Sequence, residues 1–174
     1  IGETQGEALF SATRGYSGIA ALVSDRLVYG RIPAVTGALA LSSVGSYFDL
    51  DITGQADSAA RLDKLRSKIS ETVLAVKEAK YMLVFTDRQT YFASNRTIER
   101  NTPLNFVVTN EVGIRENTMP IDLDGYVFYV TNNGEQVYSL KYDEFNVGFE
   151  ANIESLLASH LISGVVRTVR QASE

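Results

Sequence analysis

The 174-residue sequence contains no cysteine and no tryptophan, only three prolines, and a single histidine, His160. Without cysteine there is no thiol nucleophile, no thiolate metal site and no disulfide framework. One imidazole excludes any multi-histidine zinc site, and His160 has no neighbouring base or nucleophile that would make a triad. It reads as a residue on a helix face. Apolar runs such as Ile19–Val23 and Tyr81–Phe85 are strand length. A membrane-crossing helix needs about 18 apolar residues or more, so no membrane span is expected. No charged-then-apolar leader opens the sequence, and its start at Ile1 rather than Met reads as a removed start or a fragment.

Positive charge is also scarce. Sixteen Lys and Arg face 21 Asp and Glu, a net charge of −5. Gripping nucleic acid by neutralising phosphates requires clustered cations. The longest such cluster, Arg61, Lys64, Arg66 and Lys68, is interrupted by Asp63 and followed by Glu71, as on a solvated face. Neither phosphate-binding glycine pattern occurs. Asp49-Leu50-Asp51 and Asp122-Leu123-Asp124-Gly125 suggest calcium, but the second has Tyr126 at the fifth place and Asn133 at the twelfth. A calcium loop of the EF-hand type needs an oxygen ligand at the fifth and a glutamate at the twelfth. Asp124-Gly125 therefore reads as a turn. Asn95-Arg96-Thr97 fits a glycosylation sequon without a secretory context. No catalytic, cofactor-binding or metal-ligating residue is assigned, and neither metal nor cofactor is expected.

What is present is an ordinary globular composition, 45% hydrophobic and 21% charged. Nine tyrosines and eight phenylalanines favour strands. A chain of this length buries roughly 70% of its unfolded surface and folds without a staple. Residues 1–17 read as an arm or loop, and residues 18–174 as one domain. Ile19–Val23 and Leu27–Tyr29 flank Ser24-Asp25-Arg26 as a hairpin. Leu39–Leu41 and Tyr47–Ile52 suggest a second pair. Residues 57–68 form a polar excursion, where Ala59, Ala60, Leu62 and Leu65 are spaced as in a short helix after Asp57. Strands follow at Val73–Val76, Tyr81–Phe85, Tyr91–Ala93 and Phe106–Val108. The clearest hairpin joins Tyr126–Val130 to Val137–Tyr142 through Asn133-Gly134, a dipeptide that suits positive φ. Ile153, Leu156, Leu157 and Leu161, after Asn152 as a cap, predict a short amphipathic helix over Ile153–Leu161.

Three tetrapeptides are alike: Leu27-Val28-Tyr29-Gly30, Leu83-Val84-Phe85-Thr86 and Phe128-Tyr129-Val130-Thr131. Their spacing approximates the blade period of a β-propeller. The fold expected is all-β, with antiparallel propeller-like blades and one short C-terminal helix, part of a larger propeller.

A set of ordered segments carries a family resemblance. They are Arg14-Gly15-Tyr16 with Asp25-Arg26-Leu27-Val28-Tyr29-Gly30, then Leu41-Ser42-Ser43 with Gly45-Ser46-Tyr47-Phe48-Asp49-Leu50. Leu83-Val84-Phe85-Thr86 with Thr90-Tyr91-Phe92-Ala93-Ser94 comes next. Glu111-Val112-Gly113, Pro120, Val127-Phe128-Tyr129-Val130 and the run Gly134–Asp143 follow, and Ser159-His160-Leu161 closes the series. In this order they resemble the central part of the tail nozzle proteins of short-tailed bacteriophages, the tail tubular B and packaged-DNA-stabilising proteins. Ser17 stands where that family usually has proline.

The resemblance spans roughly residues 14–166 and implies a structural virion protein with no catalytic residues. It implies a homo-oligomeric ring, a hexamer in the family, at the distal end of the phage tail. Neighbours there would be the portal adaptor and the fibres, and the ring would close or conduct the DNA exit channel during ejection. Such a protein is made in the bacterial host cytoplasm. Two other readings remain open from the residues alone: a propeller hydrolase or carbohydrate-binding module, and a generic β-sandwich interaction domain.

Overall fold

A computed structural model describes residues 9–162 and 164. Among these residues twelve strands form three antiparallel four-stranded sheets, each a meander of consecutive strands. The first sheet comprises β1 (Ile19–Val23), β2 (Arg26–Gly30), β3 (Ala38–Leu41) and β4 (Arg61–Lys64). The second comprises β5 (Val73–Glu78), β6 (Met82–Thr86), β7 (Thr90–Ala93) and β8 (Phe106–Asn110). The third comprises β9 (Ile121–Leu123), β10 (Tyr126–Val130), β11 (Val137–Asp143) and β12 (Gly148–Ile153). The three similar tetrapeptides fall on the second strand of each sheet, the last of them running one residue past β10. The repeat seen in the sequence is thus a repeat of sheets.

Side-chain alternation explains how the sheets stack. Along β6, Met82 and Val84 point into a core shared with the first sheet, where they meet Val23, Val28, Leu39 and Leu41. Leu83 and Phe85 point the opposite way, into a core shared with Val127, Tyr129 and Leu140 of the third sheet. β7 divides likewise, with Tyr91 and Ala93 on one side and Phe92 on the other. The middle sheet is buried on both faces, and all five residues of β6 are buried. On β5 a register shift between Val73 and Ala75 turns both Leu74 and Ala75 toward the third sheet. That is the geometry of a β-bulge.

Polar groups tie the sheets together at the ends of the strands. Arg26 is 1% exposed. Its guanidinium donates to four main-chain carbonyls: Ser42 at 2.7 Å, Ala59 at 2.7 Å, Asp57 at 2.8 Å and Ile98 at 3.1 Å. Burial, followed by the charge of nearby Arg61, lowers its pKa from the ordinary arginine value. Arg61 pairs with Asp63 and also donates to the Glu99 and Thr102 carbonyls. The β3–β4 and β7–β8 loops are thereby fastened to each other.

Several expectations need correction. The predicted helix over Ile153–Leu161 is absent. Ile153 ends β12 opposite Tyr138, residues 154–158 turn, and only Ser159–Leu161 form a 3₁₀ turn. Leu157 is 93% exposed, and Leu156 and Leu161 also face water. Asn152 pairs with Ser139 in the sheet and caps nothing. Six paired positions along β11 outweigh a local helical spacing of four leucine and isoleucine residues. The excursion at 57–68 holds a strand, not a helix, because Arg61–Lys64 pair with Ala38–Leu41. Tyr47–Ile52 form no strand.

The turn chemistry is mostly as anticipated. Ser24 and Asp25 both have positive φ, as do Asp124 and Gly125, which matches the two-residue turns whose twist suits a hairpin. Between β10 and β11 only Gly134 has positive φ (77°), and its N–H donates to the Thr131 carbonyl at 2.8 Å. Asn133 keeps negative φ, so this is a longer turn closed by glycine. Gly113 is required for closeness: a Cβ there would lie 2.3 Å from the Asp87 carbonyl carbon.

Replacing Arg26 with methionine should leave the buried carbonyls of Ser42 and Ala59 without their Arg26 donor, loosen the loops at Asp57 and Ile98, and cost about 3 kcal/mol or more, measurable as a lowered denaturant midpoint with unchanged slope. Gly134→Val should cost about 1 kcal/mol or more through its forced φ. Unaltered thermal unfolding of that variant would refute the turn assignment.

Candidate interaction surface

The outermost sheets each leave one face without a neighbouring sheet. On the first sheet that face carries Ala20, Leu22, Leu27, Tyr29, Ala40 and Leu62, as the pairing register dictates. Residues of the N-terminal arm and of the β3–β4 loop lie against it. The Phe10 ring sits 5.7 Å from the Tyr29 ring, and the Tyr29 hydroxyl donates to the Tyr47 carbonyl at 3.1 Å. Between them is an open cavity of about 470 Å³ lined by Leu9, Phe10, Ala40, Leu50, Ile52 and Leu62, with Arg14 and Arg61. Leu22, Tyr47, Phe48, Ile52 and Leu62, all on this face or its bordering loop, are exposed. Clustered exposed apolar side chains mark a surface that meets another molecule.

The loop that frames the cavity is held by its acidic residues. Asp49 accepts from the Ser43 hydroxyl at 2.8 Å and the Asp51 N–H at 3.0 Å. Asp51 accepts from the Thr53 N–H at 2.9 Å and hydroxyl at 2.7 Å, and these bonds lower its pKa. The Asp49-Leu50-Asp51 stretch therefore shapes a pair of turns. Asp124 sits at the β9–β10 turn with φ 51°. Among the described residues no group of three or more His, Cys, Asp or Glu is placed to hold a metal ion. His160 is exposed on the 3₁₀ turn.

One buried acidic cluster was not visible in the sequence. Glu71 is 3% exposed and accepts from the Tyr91 and Thr86 hydroxyls, each at 2.5 Å. Burial, and next the hydrogen bond to Glu71, push the Tyr91 pKa up to about 12. Tyr129, whose hydroxyl accepts from the Asn110 amide at 2.8 Å, is pushed up to about 12 by burial. Nothing in the local sequence marks Glu71, because its partners come from the two strands beyond the next one. The cluster lies in the packed interior and locks β6 and β7 to the β4–β5 link.

No family model matches the chain, and no curated protein matches it. None of the described helices is long and apolar enough to cross a membrane.

The two tyrosines set an alkaline limit. Their folded pKa lies above the ordinary value of about 10, so the neutral phenols are favoured by folding. The stability they supply is complete below pH 10 and should be lost as pH rises from about 10 to about 12. Absorbance titration of phenolate should show two tyrosines ionising last, together with unfolding. Tyr91→Phe with Tyr129→Phe should flatten that alkaline loss.

Proposed function

We propose that this chain is a structural module of a bacteriophage tail nozzle, a run of propeller-like blades that helps to close or conduct the DNA exit channel. The observation that carries this reading is the tandem of three four-stranded meanders with the similar tetrapeptide on each second strand. Such a tandem is how a propeller is built. The segments resembling the nozzle family lie at working positions in it. Arg26 forms the four-carbonyl clamp, Gly113 packs against the Asp87 backbone, and Gly134 closes the last hairpin.

The surface supports a role in assembly over one in catalysis. Its cavity is lined by apolar side chains and two arginines, with no carboxylate. A sugar or hydrolase site would bring together carboxylates or polar groups around a stacking ring. The net charge of −5 suits a conduit, since fixed negative charge repels the phosphate backbone and lets DNA slide. One subunit cannot enclose a channel of DNA width, so the working form is a ring of copies joined to other tail proteins in the virion.

Particles made without this protein should package DNA and then leak it, and electron microscopy should show tails shortened at the distal end. Infectious, DNA-retaining particles lacking the protein would rule out the nozzle role.

A further inference from the structure

The sequence holds one Asn-Gly pair, Asn133-Gly134, and the fold places it at the tip joining β10 to β11. In an open chain the main-chain nitrogen that follows an asparagine can attack the side-chain amide carbon. A C–N bond forms, the nitrogen's proton passes to the departing amide, and ammonia leaves. Water then opens the five-membered imide to aspartate or isoaspartate. Glycine favours this chemistry because it has no Cβ to obstruct the approach. The reaction needs a free nitrogen, a side chain able to turn toward it, and solvent base to take the N–H proton. In the closed hairpin all three are withheld. The Gly134 N–H donates to the Thr131 carbonyl at 2.8 Å, and Gly134 is buried. Arg115 lies over it, so that a Cβ on Gly134 would fall 2.2 Å from Nη1, and this guanidinium donates to the Asn133 carbonyl at 2.9 Å. Asn133 Oδ1 accepts from the Thr131 hydroxyl and from the Glu135 N–H at 3.1 Å, while Nδ2 donates to Glu135 Oε2 at 3.1 Å. An N–H on one end of the amide and a carboxylate on the other fix which end is which. Thr131 thus holds both reactants, the nucleophile by its carbonyl and the amide by its hydroxyl.

We propose that Asn133-Gly134 is a self-modification site gated by its own hairpin, intact while the tip is closed and converted to aspartate or isoaspartate when the tip opens. Opening frees nucleophile and amide together, because both are tied to Thr131. The product resists reclosure. A carboxylate at position 133 would stand against that of Glu135, where the amide now donates. Isoaspartate would add a backbone atom to the turn and draw the Gly134 N–H away from the Thr131 carbonyl. A transient opening thereby becomes a permanent mark on the chain. The inference stands apart from the nozzle reading and holds whatever the chain assembles into.

The test holds the full chain in mildly alkaline buffer, either folded or in concentrated guanidinium, and follows the amide-to-acid mass gain over time. Trypsin, cutting after Arg115 and Lys141, releases residues 116–141, which also carry Asn117 and Asn132 as internal comparisons. In guanidinium Asn133 should convert first of the three. In the folded chain its rate should be lower by about tenfold or more, the factor expected when several hydrogen bonds must break to free both groups. Thr131→Val keeps the carbonyl and removes the hydroxyl, so its folded rate should rise severalfold while its rate in guanidinium stays that of the wild type. Thr131 is 1% exposed, so the variant's folding is checked by its denaturant midpoint. If it does not fold, guanidinium additions too small to unfold the wild type decide instead, and should speed its conversion. Equal wild-type rates folded and unfolded would overturn the proposal. So would Asn117 or Asn132 overtaking Asn133 in guanidinium, or a folded Thr131→Val chain converting no faster than the wild type. None of these outcomes touches the nozzle role, which is decided by whether particles keep their DNA.

Discussion

The fold depends on one buried cation. Arg26 begins β2, and its guanidinium reaches the carbonyls of three separate loop positions in the first sheet and one in the second. A desolvated charge without a carboxylate survives only when its donors are met with good geometry. The β3–β4 loop is long and irregular, and Arg26 joins main-chain bonds such as Gly45 N–H to the Asp25 carbonyl in drawing it back to the strand ends. Once it is drawn in by Arg26, Ala59 and Ala60 are buried and Arg61 is placed to start β4. Arg61 then captures the β7–β8 loop through Glu99 and Thr102. The cavity on the outer face owes its rim to the same event, since Leu50 and Ile52 belong to the captured loop.

Strand identity was legible wherever tight turns punctuate apolar runs. Ser24-Asp25 and the Gly134 turn each sit between strands that pair as the pattern implies, and Asp124-Gly125 is the turn before β10, although β9 on its other side had no signal of its own. The likeness of three tetrapeptides was legible too, because equivalent strands in stacked sheets face equivalent packing demands. What failed did so where pairing partners are distant in sequence. Arg61–Lys64 carries polar residues and looks like a helical turn, yet β3 offers it a ladder. Ile153, Leu156, Leu157 and Leu161 have helical spacing, but β11 claims the first, and the others point to water.

The candidate surface was largely illegible for the same reason. Phe10, Ala40, Ile52 and Leu62 come from four segments that only strand order brings together. Glu71 meets Tyr91 and Thr86 through register, not spacing.

The two-faced middle sheet bears on how the chain comes off the ribosome. Residues 73–110 can close onto the first sheet as soon as they emerge, covering Met82, Val84 and Tyr91. Their other side, with Leu83, Phe85 and Phe92, has no cover until residues 121–153 have followed. At roughly 5–20 residues per second this leaves an apolar sheet bare for several seconds. During that interval nascent chains on one messenger are near neighbours with matching sticky faces. Slow translation through the third sheet should therefore favour aggregation, and a holdase chaperone acting in that window should raise the soluble yield.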